Sequence, residues 1–380
     1  MTDDVALHTP LVGRPGSRAL LNTPVLVVDG DALDRNIAAM ARLAAERGVA
    51  LRPHAKTHKS VDIARRQRAA GAVGLCCAKL GEAEALAAGG IDQLLITSPV
   101  AAPGAIARLA ALAERSPGLM TVADHPDVVD RIAAATAERG TTIGVVVDID
   151  PGIHRTGVAA PPAAVALARR IGAHPTLHYR GVQFYCGAQQ HIEDYATRRA
   201  AVEERTDYLR SVIAALDDAG LSPALITGSG TGTHRIDLDL GVFNELQCGS
   251  YVFMDTQYFA CDLTGDEVPF EPALMVDARV VSANHSALVT LDAGFKALST
   301  DGGKPGVHAG APRDAAFVFM GDEHGALVAA GIGDTLAPGD PVSLIVPHCD
   351  PTGNLYDHYH VVRCDTLHAV WPVSARGRSR

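Results

Sequence analysis

Apolar residues recur along this chain in two alternating patterns. A short apolar run at residues 24–29 predicts a strand. Asp31 then suits the N-cap of a helix that extends to about Arg47, because apolar residues repeat there at helical spacing.

From residue 50 onward, short apolar runs alternate with segments of helical period. The runs lie at 50–55, 74–78, 93–97, 120–123, 143–149, 181–185, 224–227 and 245–248. The helical segments lie at 61–70, 80–88, 105–115, 128–139, 163–171 and 194–219, and the last link is short and rich in glycine. This order predicts an α/β fold of the (β/α)8 TIM-barrel type. An open doubly wound sheet is the alternative, because a strand count from sequence can differ by one or two.

Beyond about residue 265 the pattern changes to alternating segments without long helices. Six such segments lie at 273–282, 287–292, 316–320, 341–346, 359–362 and 369–373. Turn residues separate them, which predicts a β domain. We therefore expect an N-terminal segment (1–28) that packs with the β domain, a cofactor-binding barrel (29–265) and a C-terminal β domain (266–380).

Composition narrows the classes of function. The 380 residues carry a formal net charge of −10, which argues against nucleic acid or an anionic membrane surface as a partner. No apolar run is long enough to span a membrane, and the N-terminus lacks the apolar core of a signal peptide. Seven scattered cysteines without a CxxC pair predict a reduced, cytoplasmic protein.

The first chemical candidate is the stretch RPHAKTHK at 52–59, which follows the first barrel run. Active residues of such barrels lie at the C-terminal ends of strands. Lys56 directly follows the run, whereas Lys59 falls in the first turn of the next helix. Lys56 is therefore the candidate for a Schiff base with a carbonyl cofactor, and Lys59 is expected to be solvated or near a phosphate. For any single strand-end lysine, an ordinary solvated residue is the alternative.

A glycine-rich loop, TGSGTGT at 227–233, follows the seventh run. Loops after strands seven and eight of such barrels commonly hold phosphate with backbone N–H groups, although a glycine-rich loop alone is more often only a turn. The candidates for a phosphate cup are Gly228, Ser229, Gly230, Thr231, Gly232, Gly249, Ser250 and Tyr251. An amine on strand one that faces such a cup has the layout of a pyridoxal 5′-phosphate (PLP) site.

Three more candidates follow the fifth and sixth runs. Arg155 is placed to hydrogen-bond the cofactor ring oxygen or its phosphate. Tyr185 is placed to stack on a pyridine ring, and His191 to act as a general base. The alternatives are a solvated arginine and a structural or exposed histidine.

The β domain contains PHCDPT at 347–352. Residues i and i+2 of an extended chain face the same side, so His348 and Asp350 are expected to point together while Cys349 points away. One imidazole and one carboxylate leave coordination positions open. This suits a catalytic divalent cation such as Mn²⁺ or Mg²⁺, with Co²⁺ or Zn²⁺ as alternatives, better than a four-ligand structural zinc. The cluster DEHG at 322–325 is a candidate for orienting the site.

Together, the motifs RPHAKTHK, TGSGTG, NELQCGSY, DEHG and HCDPT resemble those of the D-threonine aldolase family. That family belongs to the fold-type III PLP enzymes, which share the alanine-racemase barrel and include D-serine dehydratases and 3-hydroxyaspartate aldolases. The resemblance covers nearly the whole chain, from residue 23 to residue 377. It implies that Lys56 binds PLP, that Arg155 and Tyr185 contact it, and that His191 is the base.

The resemblance also implies that His348 and Asp350 bind the metal. It implies a homodimer in which each barrel meets its partner's β domain, which would explain how a metal site so late in the chain reaches Lys56. Cys186 and Tyr356 depart from the family pattern, because relatives often carry histidine there. These departures bear on the substrate pocket more than on the cofactor site.

The implied function is PLP- and metal-dependent retro-aldol cleavage of a small D-β-hydroxy-α-amino acid of the D-threonine type, giving glycine and an aldehyde. The close alternatives are dehydration of D-serine or 3-hydroxyaspartate and aldol cleavage of 3-hydroxyaspartate. Asp350 favours the aldolases, since related D-serine dehydratases tend to pair histidine with cysteine at the metal. A non-catalytic PLP carrier is the alternative from another class, and the β domain counts against it.

Overall fold

The computed structural model describes residues 4–380 of the protein. The N-terminal elements are α1 (Asp4–His8), β1 (Val25–Asp29) and α2 (Gly30–Glu46). The N-cap of α2 is Asp29, whose carboxylate accepts hydrogen bonds from the N–H groups of Asp31 and Ala32. The prediction of Asp31 as the cap is therefore wrong. The strand runs directly into the helix, so the last strand residue caps the first turn.

The eight predicted barrel strands all form. They are β2 (Ala50–Leu51), β3 (Leu75–Cys77), β4 (Leu94–Ile96), β5 (Met120–Ala123), β6 (Ile143–Ile149), β7 (Leu177–Phe184), β8 (Leu225–Gly228) and β9 (Glu245–Leu246). They pair in parallel in the order β2-β9-β8-β7-β6-β5-β4-β3. A further parallel bridge between His54 and Cys76 joins the two ends of this order, so the strands enclose a barrel. The barrel prediction is confirmed.

Helices cover the outside of the barrel. They are α3 (Val61–Ala69), α4 (Leu80–Ala88), α5 (Pro103–Ala113), α6 (Pro126–Glu138), α7 (Pro161–Gly172), α8 (Tyr195–Asp218), α9 (His234–Leu240) and the short α10 (Thr256–Phe259). In α8, Val202, Leu209 and Leu216 recur every seven residues and are fully buried. This spacing presents one apolar stripe to the sheet. Within residues 4–380, no helix is both long and apolar enough to cross a bilayer.

The predicted C-terminal β domain is also present. Its elements are β10 (Leu274–His285), β11 (Leu288–Leu291), β12 (Gly306–Ala309), β13 (Ala316–Phe319), β14 (Gly325–Val328), α11 (Ile332–Thr335), β15 (Pro341–Ile345), α12 (Cys349–Gly353), β16 (His358–Arg363) and β17 (Thr366–Pro372). The sheet order is β13-β14-β11-β10-β1-β16-β17, and β15 pairs with β10 and β12. The N-terminal strand β1 therefore lies inside this sheet. The sequence pattern did not predict β12 and β14, which have only four residues each.

Several hydrogen bonds join the β domain to the strand-end loops of the barrel. The Tyr359 hydroxyl donates to the backbone oxygen of His58 at 2.8 Å. The Cys349 N–H donates to Asp255 Oδ2 at 3.0 Å, and the Thr256 N–H donates to the oxygen of Val346 at 3.1 Å. The loop that begins α12 is thereby held against the barrel mouth.

Candidate active site

Lys56 lies in a single 3-10 turn, Ala55–Thr57, directly after the first barrel strand. Its amine donates to Asp350 Oδ1 at 2.5 Å, and the Thr57 hydroxyl donates to Asp350 Oδ2 at 3.1 Å. All three residues belong to one chain. The chain folds α12 onto its own barrel, so this contact does not need the partner's β domain that the implied homodimer offered as its explanation.

This ion pair sets the charges at the centre of the site. Burial raises the pKa of the Asp350 carboxyl, but attraction to Lys56 and then to His348 outweighs burial and lowers it to about 2. Burial alone would lower the pKa of the Lys56 amine, but Asp350 holds it above its ordinary value. Both groups are charged at neutral pH. The amine and the carboxylate are therefore fixed beside each other at the barrel mouth.

His54 supports the turn that carries Lys56. Its Nδ1 accepts the Lys56 N–H at 3.3 Å, and its Nε2 lies 3.0 Å from Thr97 Oγ1. Thr97 donates to the oxygen of Cys77, so its hydroxyl can accept the proton of His54 Nε2. Burial, followed by repulsion from Lys56, lowers the pKa of His54 to about 3. The imidazole is therefore neutral, with one nitrogen fixed as acceptor and the other as donor.

A cavity of about 270 Å³ extends from Lys56 toward the loops after β7, β8 and β9. Its lining includes seven of the predicted cofactor residues besides Lys56: Arg155, Tyr185, Ser229, Gly230, Thr231, Gly249 and Ser250. Among the described residues, none that lines this cavity is acidic, although the whole chain carries a net charge of −10. Hydroxyls, an amine and a guanidinium without carboxylates suit a phosphorylated aldehyde.

Gly249 lies where the chain comes closest to the lysine turn. A Cβ atom at this position would lie 2.9 Å from Thr57 Oγ1 and 3.0 Å from the oxygen of His54. Ser229 has a left-handed φ of 72°, a conformation that costs free energy for a residue other than glycine. Both features belong to the loops that face the amine, so the cup is shaped by backbone conformation as well as by side chains.

Three predicted cup residues lie behind the lining. Gly228 ends β8, where a Cβ would lie 2.0 Å from the oxygen of Phe184. The Gly232 N–H donates to Gln190 Oε1 at 3.0 Å. Tyr251 is fully buried and its hydroxyl accepts from Gln67 Nε2 at 3.1 Å. These residues support the loops from behind and do not line the cavity.

Arg155, Tyr185 and His191 lie on the loops after β6 and β7. The Arg155 guanidinium lies 5.7 Å from the centre of the Tyr185 ring. His191 is exposed at the rim, and its ring lies 4.6 Å from the Tyr258 ring. Desolvation by neighbouring atoms lowers the pKa of His191, and repulsion from His348 and Lys56 lowers it further. His191 is therefore neutral near pH 7, the form in which it can accept a proton.

His348 and Asp350 come together, but not through an extended chain. Cys349 begins the short helix α12, so the expected strand geometry at 348–350 is wrong. Asp350 lies in the first turn of that helix, and His348 Nε2 is 3.8 Å from Asp350 Oδ2. His348 Nδ1 lies 2.7 Å from Asp301 Oδ2. Within residues 4–380, no group of three or more His, Cys, Asp or Glu side chains is arranged to hold a metal ion.

The DEHG cluster lies away from these contacts. Asp322, Glu323 and His324 are exposed between β13 and β14, and Glu323 pairs with Lys296 at 2.5 Å. No hydrogen bond or ion pair between described residues joins the cluster to His348. The proposed orienting role is therefore not supported within this chain.

Lys59 is not solvated, contrary to expectation. It is 9% exposed, and its amine donates to Asn354 Oδ1 at 2.9 Å and lies 3.4 Å from Glu82 Oε1. Its role is structural, because it joins the lysine turn to the end of α12.

Cys186 is buried behind the cavity, and burial raises the pKa of its thiol. The Tyr356 hydroxyl donates to the oxygen of Ala297 at 2.9 Å.

Several residues around the site were not predicted as functional. Thr97, Gln183 and Gln247 line the cavity, and each lies at the end of a barrel strand. The strand-end rule that selected Lys56 applies equally to them. Asp301 gives no such signal, because it lies in a loop of the β domain and reaches His348 only through the fold.

A barrel lysine that faces an acid-free, hydroxyl-rich cavity defines the class of the fold-type III PLP enzymes, of which alanine racemase is the structural type. The comparisons agree with this class. Residues 28–257 match the family model described as alanine racemase, N-terminal domain, and the chain belongs to that family. Residues 273–362 match the serine dehydratase domain model.

Within this class, the chain is similar to aldolases along its whole length. It is 39% identical over 363 residues to the 3-hydroxy-D-aspartate aldolase of Paracoccus denitrificans (strain Pd 1222), which covers 94% of this chain and 93% of that protein. It is 36% identical to the D-threonine aldolase of an Arthrobacter species, covering 99% and 98%. The crystal structure of D-threonine aldolase from Filomicrobium marinum superposes with a TM-score of 0.91 at 38% identity, covering 95% and 97%. The predicted family and the prediction of a lyase-type enzyme are confirmed.

Proposed function

We propose that the protein is a PLP- and divalent-metal-dependent aldolase that cleaves D-β-hydroxy-α-amino acids of the D-threonine type to glycine and an aldehyde. The observation that carries the proposal is the contact between Lys56 and Asp350. It places the amine expected to hold the cofactor beside the carboxylate of the His348–Asp350 pair. Cofactor and cation would therefore act on one small substrate.

We assign covalent attachment of the cofactor to Lys56. The assignment rests on the acid-free cavity in front of this amine and on the close approach of Gly249 to the lysine turn. Ser229, Thr231 and Ser250 would hold the phosphate with hydroxyl and backbone donors. PLP, when bound, withdraws electrons from the bonds of the substrate carbon that bears the amino group.

The His348–Asp350 pair fits a divalent cation. Asp301 accepts the proton of His348 Nδ1, which leaves Nε2 free as a ligand beside Asp350 Oδ2. One nitrogen and one oxygen donor leave open positions for water and substrate, and Mn²⁺ is our first choice, with Mg²⁺, Co²⁺ or Zn²⁺ as alternatives. A cation held there would polarise the β-hydroxyl of the substrate.

His191 is our candidate for the base that removes the β-hydroxyl proton. The lowered pKa of its ring keeps it neutral at the rim of the cavity, and the neighbouring Tyr258 ring limits its movement. Arg155 and Tyr185 would contact the cofactor, since both line the cavity and lie beside each other. Removal of a proton from an oxygen beside a cation is the step that cleavage requires of this chain.

Dehydration of D-serine or 3-hydroxyaspartate is the second candidate, and cleavage of 3-hydroxyaspartate is the third. The match of residues 273–362 to the serine dehydratase domain model supports the second. The full-length similarity to the Paracoccus 3-hydroxy-D-aspartate aldolase supports the third. We favour cleavage because the cation pair is His348 with Asp350, and Cys349 is buried away from it.

Product analysis tests the proposal. The purified enzyme with PLP and Mn²⁺ is incubated with D-threonine, D-serine and D-3-hydroxyaspartate, and the products are identified by mass spectrometry. Glycine with acetaldehyde from D-threonine supports it, and a keto acid with ammonia as the main products would contradict it. EDTA should abolish the activity while the visible absorbance of the bound cofactor persists, and Mn²⁺ should restore it.

We also propose a cytoplasmic homodimer. All seven cysteines are unpaired and six of them are buried, which suits a reducing compartment. Large apolar side chains are exposed on the barrel at Phe259 (36%) and on the β domain at Met320 (54%). Exposed apolar residues on both parts are consistent with a barrel that meets a partner's β domain. Light scattering during size-exclusion chromatography measures the mass, and a monomer at micromolar concentration would contradict the dimer.

A further inference from the structure

A second cavity, of about 450 Å³, opens at the other end of the barrel, where the strands begin. Its polar lining includes Arg52, Gln93, Ser116, Thr142, His178 and Arg180. Among the described residues, no aspartate or glutamate lines it. Arg52 is paired with Glu245, so Arg180 supplies the unpaired positive charge of this hollow. In a chain with a net charge of −10, a guanidinium in a cavity without lining carboxylates suits an anion.

The backbone directs Arg180 over this cavity. Val145 pairs with Tyr179 and Val146 pairs with Gly181, so Arg180 is the extra residue of a β-bulge in β7. Bulges re-aim a side chain and are frequent beside functional sites. Gly144 leaves room for the arginine stem, because a Cβ there would lie 3.1 Å from Arg180 Cγ.

The two side chains of β7 that line the cavity, Arg180 and His178, have no carboxylate partner within residues 4–380. Neither Arg180 nor His178, two residues earlier on the strand, forms an ion pair or side-chain hydrogen bond with another residue of the part that the structure describes. Both side chains lie in the lining of the cavity. Their donors are therefore available to a ligand.

The base of the cavity is held rigidly and is linked to the active site. Arg52 donates from Nε to Glu245 Oε1 at 2.9 Å, and its Nη2 lies 2.9 Å from Oε2. Thr227 donates to the same Oε1 at 2.9 Å and accepts from Gln247 Nε2 at 3.0 Å. Gln247 also donates to Gln183 at 3.2 Å, and both glutamines line the cavity of Lys56. One chain of hydrogen-bonded side chains therefore connects the two cavities through the barrel.

We propose that the cavity at the amino-terminal end of the barrel binds a small polyvalent anion, a phosphoryl compound or a dicarboxylate, through Arg180 and His178. Both ligand classes present several oxygen acceptors within a few ångströms, which matches a guanidinium and an imidazole around one hollow. The site is separate from the phosphate cup near Lys56, since it lies at the opposite ends of the strands.

Isothermal titration calorimetry tests the proposal on the PLP-loaded enzyme, in which the phosphate cup is filled. Inorganic phosphate and succinate are the two probes, each at constant ionic strength set with chloride. We expect saturable binding of at least one probe at one site per chain, and the tighter probe identifies the ligand class. Arg180→Ala should weaken that binding at least tenfold, and His178→Ala should weaken it severalfold.

Arg169→Ala is the matched control, because it removes one exposed positive charge from α7, outside the cavity lining. It should bind the probe as the wild type does. His178→Ala gives a second variant on the exposed side of β7 if Arg180→Ala is poorly folded. Absence of saturable binding of both probes to the wild type, or unchanged binding by Arg180→Ala and His178→Ala, would overturn the proposal.

Discussion

The fully buried His58 makes the lysine turn sensitive to acid. Its Nδ1 accepts the Ser60 N–H at 3.1 Å, and its Nε2 lies 3.2 Å from Gln67 Oε1. Burial lowers the pKa of His58 to about 4, below its ordinary value of 6.5. As the pH falls below 6.5, the unfolded chain takes up a proton that the folded chain refuses until about pH 4. The free energy of unfolding therefore falls across this window, by about 3 kcal/mol for this group.

His58→Asn keeps an acceptor near the Ser60 amide and removes the titrating ring. At pH 7.5 the variant should be less stable than the wild type by about 1–2 kcal/mol, because the contact with Gln67 is lost. Urea unfolding from pH 7.5 to pH 4.5 should show a decline in stability that is about 2–3 kcal/mol smaller for the variant than for the wild type. His285→Asn, an exposed histidine at the end of β10, is the control and should follow the wild type. If the stability of His58→Asn fell with pH in parallel with that of the wild type, His58 would not be the source of the acid sensitivity.

Three further predictions concern the site. Asp301→Ala should lower the affinity for Mn²⁺ about tenfold. This is the low end of the effect of a residue that orients a metal ligand, because the Asp301 side chain is 57% exposed. Calorimetry measures the affinity, and an unchanged value would contradict the role of Asp301. Gly249→Ala should weaken PLP binding, measured by absorbance titration, since its Cβ would press on Thr57 Oγ1, and wild-type affinity would contradict the close fit. Burial raises the pKa of Asp148 to about 6, so its folded pKa exceeds its unfolded value and stability falls as the pH rises from about 4 to 6. In urea unfolding, Asp148→Asn should reduce this loss of stability between pH 4 and pH 6 by about 3 kcal/mol. A variant whose stability depends on pH as that of the wild type does would contradict the prediction.

The barrel and the position of Lys56 could be predicted from the sequence because both depend on local periodicity. Each barrel strand is a short apolar run between helical segments, and a strand end is visible in the sequence. The sequence also contains a helix-start signal for the short helix α12. Asp350 and Pro351 stand in its first turn, where an acidic residue and a proline favour a helix start.

The remaining features depend on contacts between distant segments. Lys59 can be buried because Asn354, 295 residues later, accepts a hydrogen bond from its amine. Asp301 meets His348 across 47 residues, and the Arg180 bulge is a matter of register between β6 and β7. Periodicity within a segment carries no information on such pairings.

Borohydride reduction of the PLP-loaded enzyme, followed by peptide mass spectrometry, shows which lysine carries the cofactor. We expect a reduced pyridoxyl group on the peptide that contains Lys56, its retention in Lys59→Ala and its loss in Lys56→Ala. Fragmentation that places the group on Lys59 or another lysine, or its persistence in Lys56→Ala, would show that Lys56 is not the cofactor lysine.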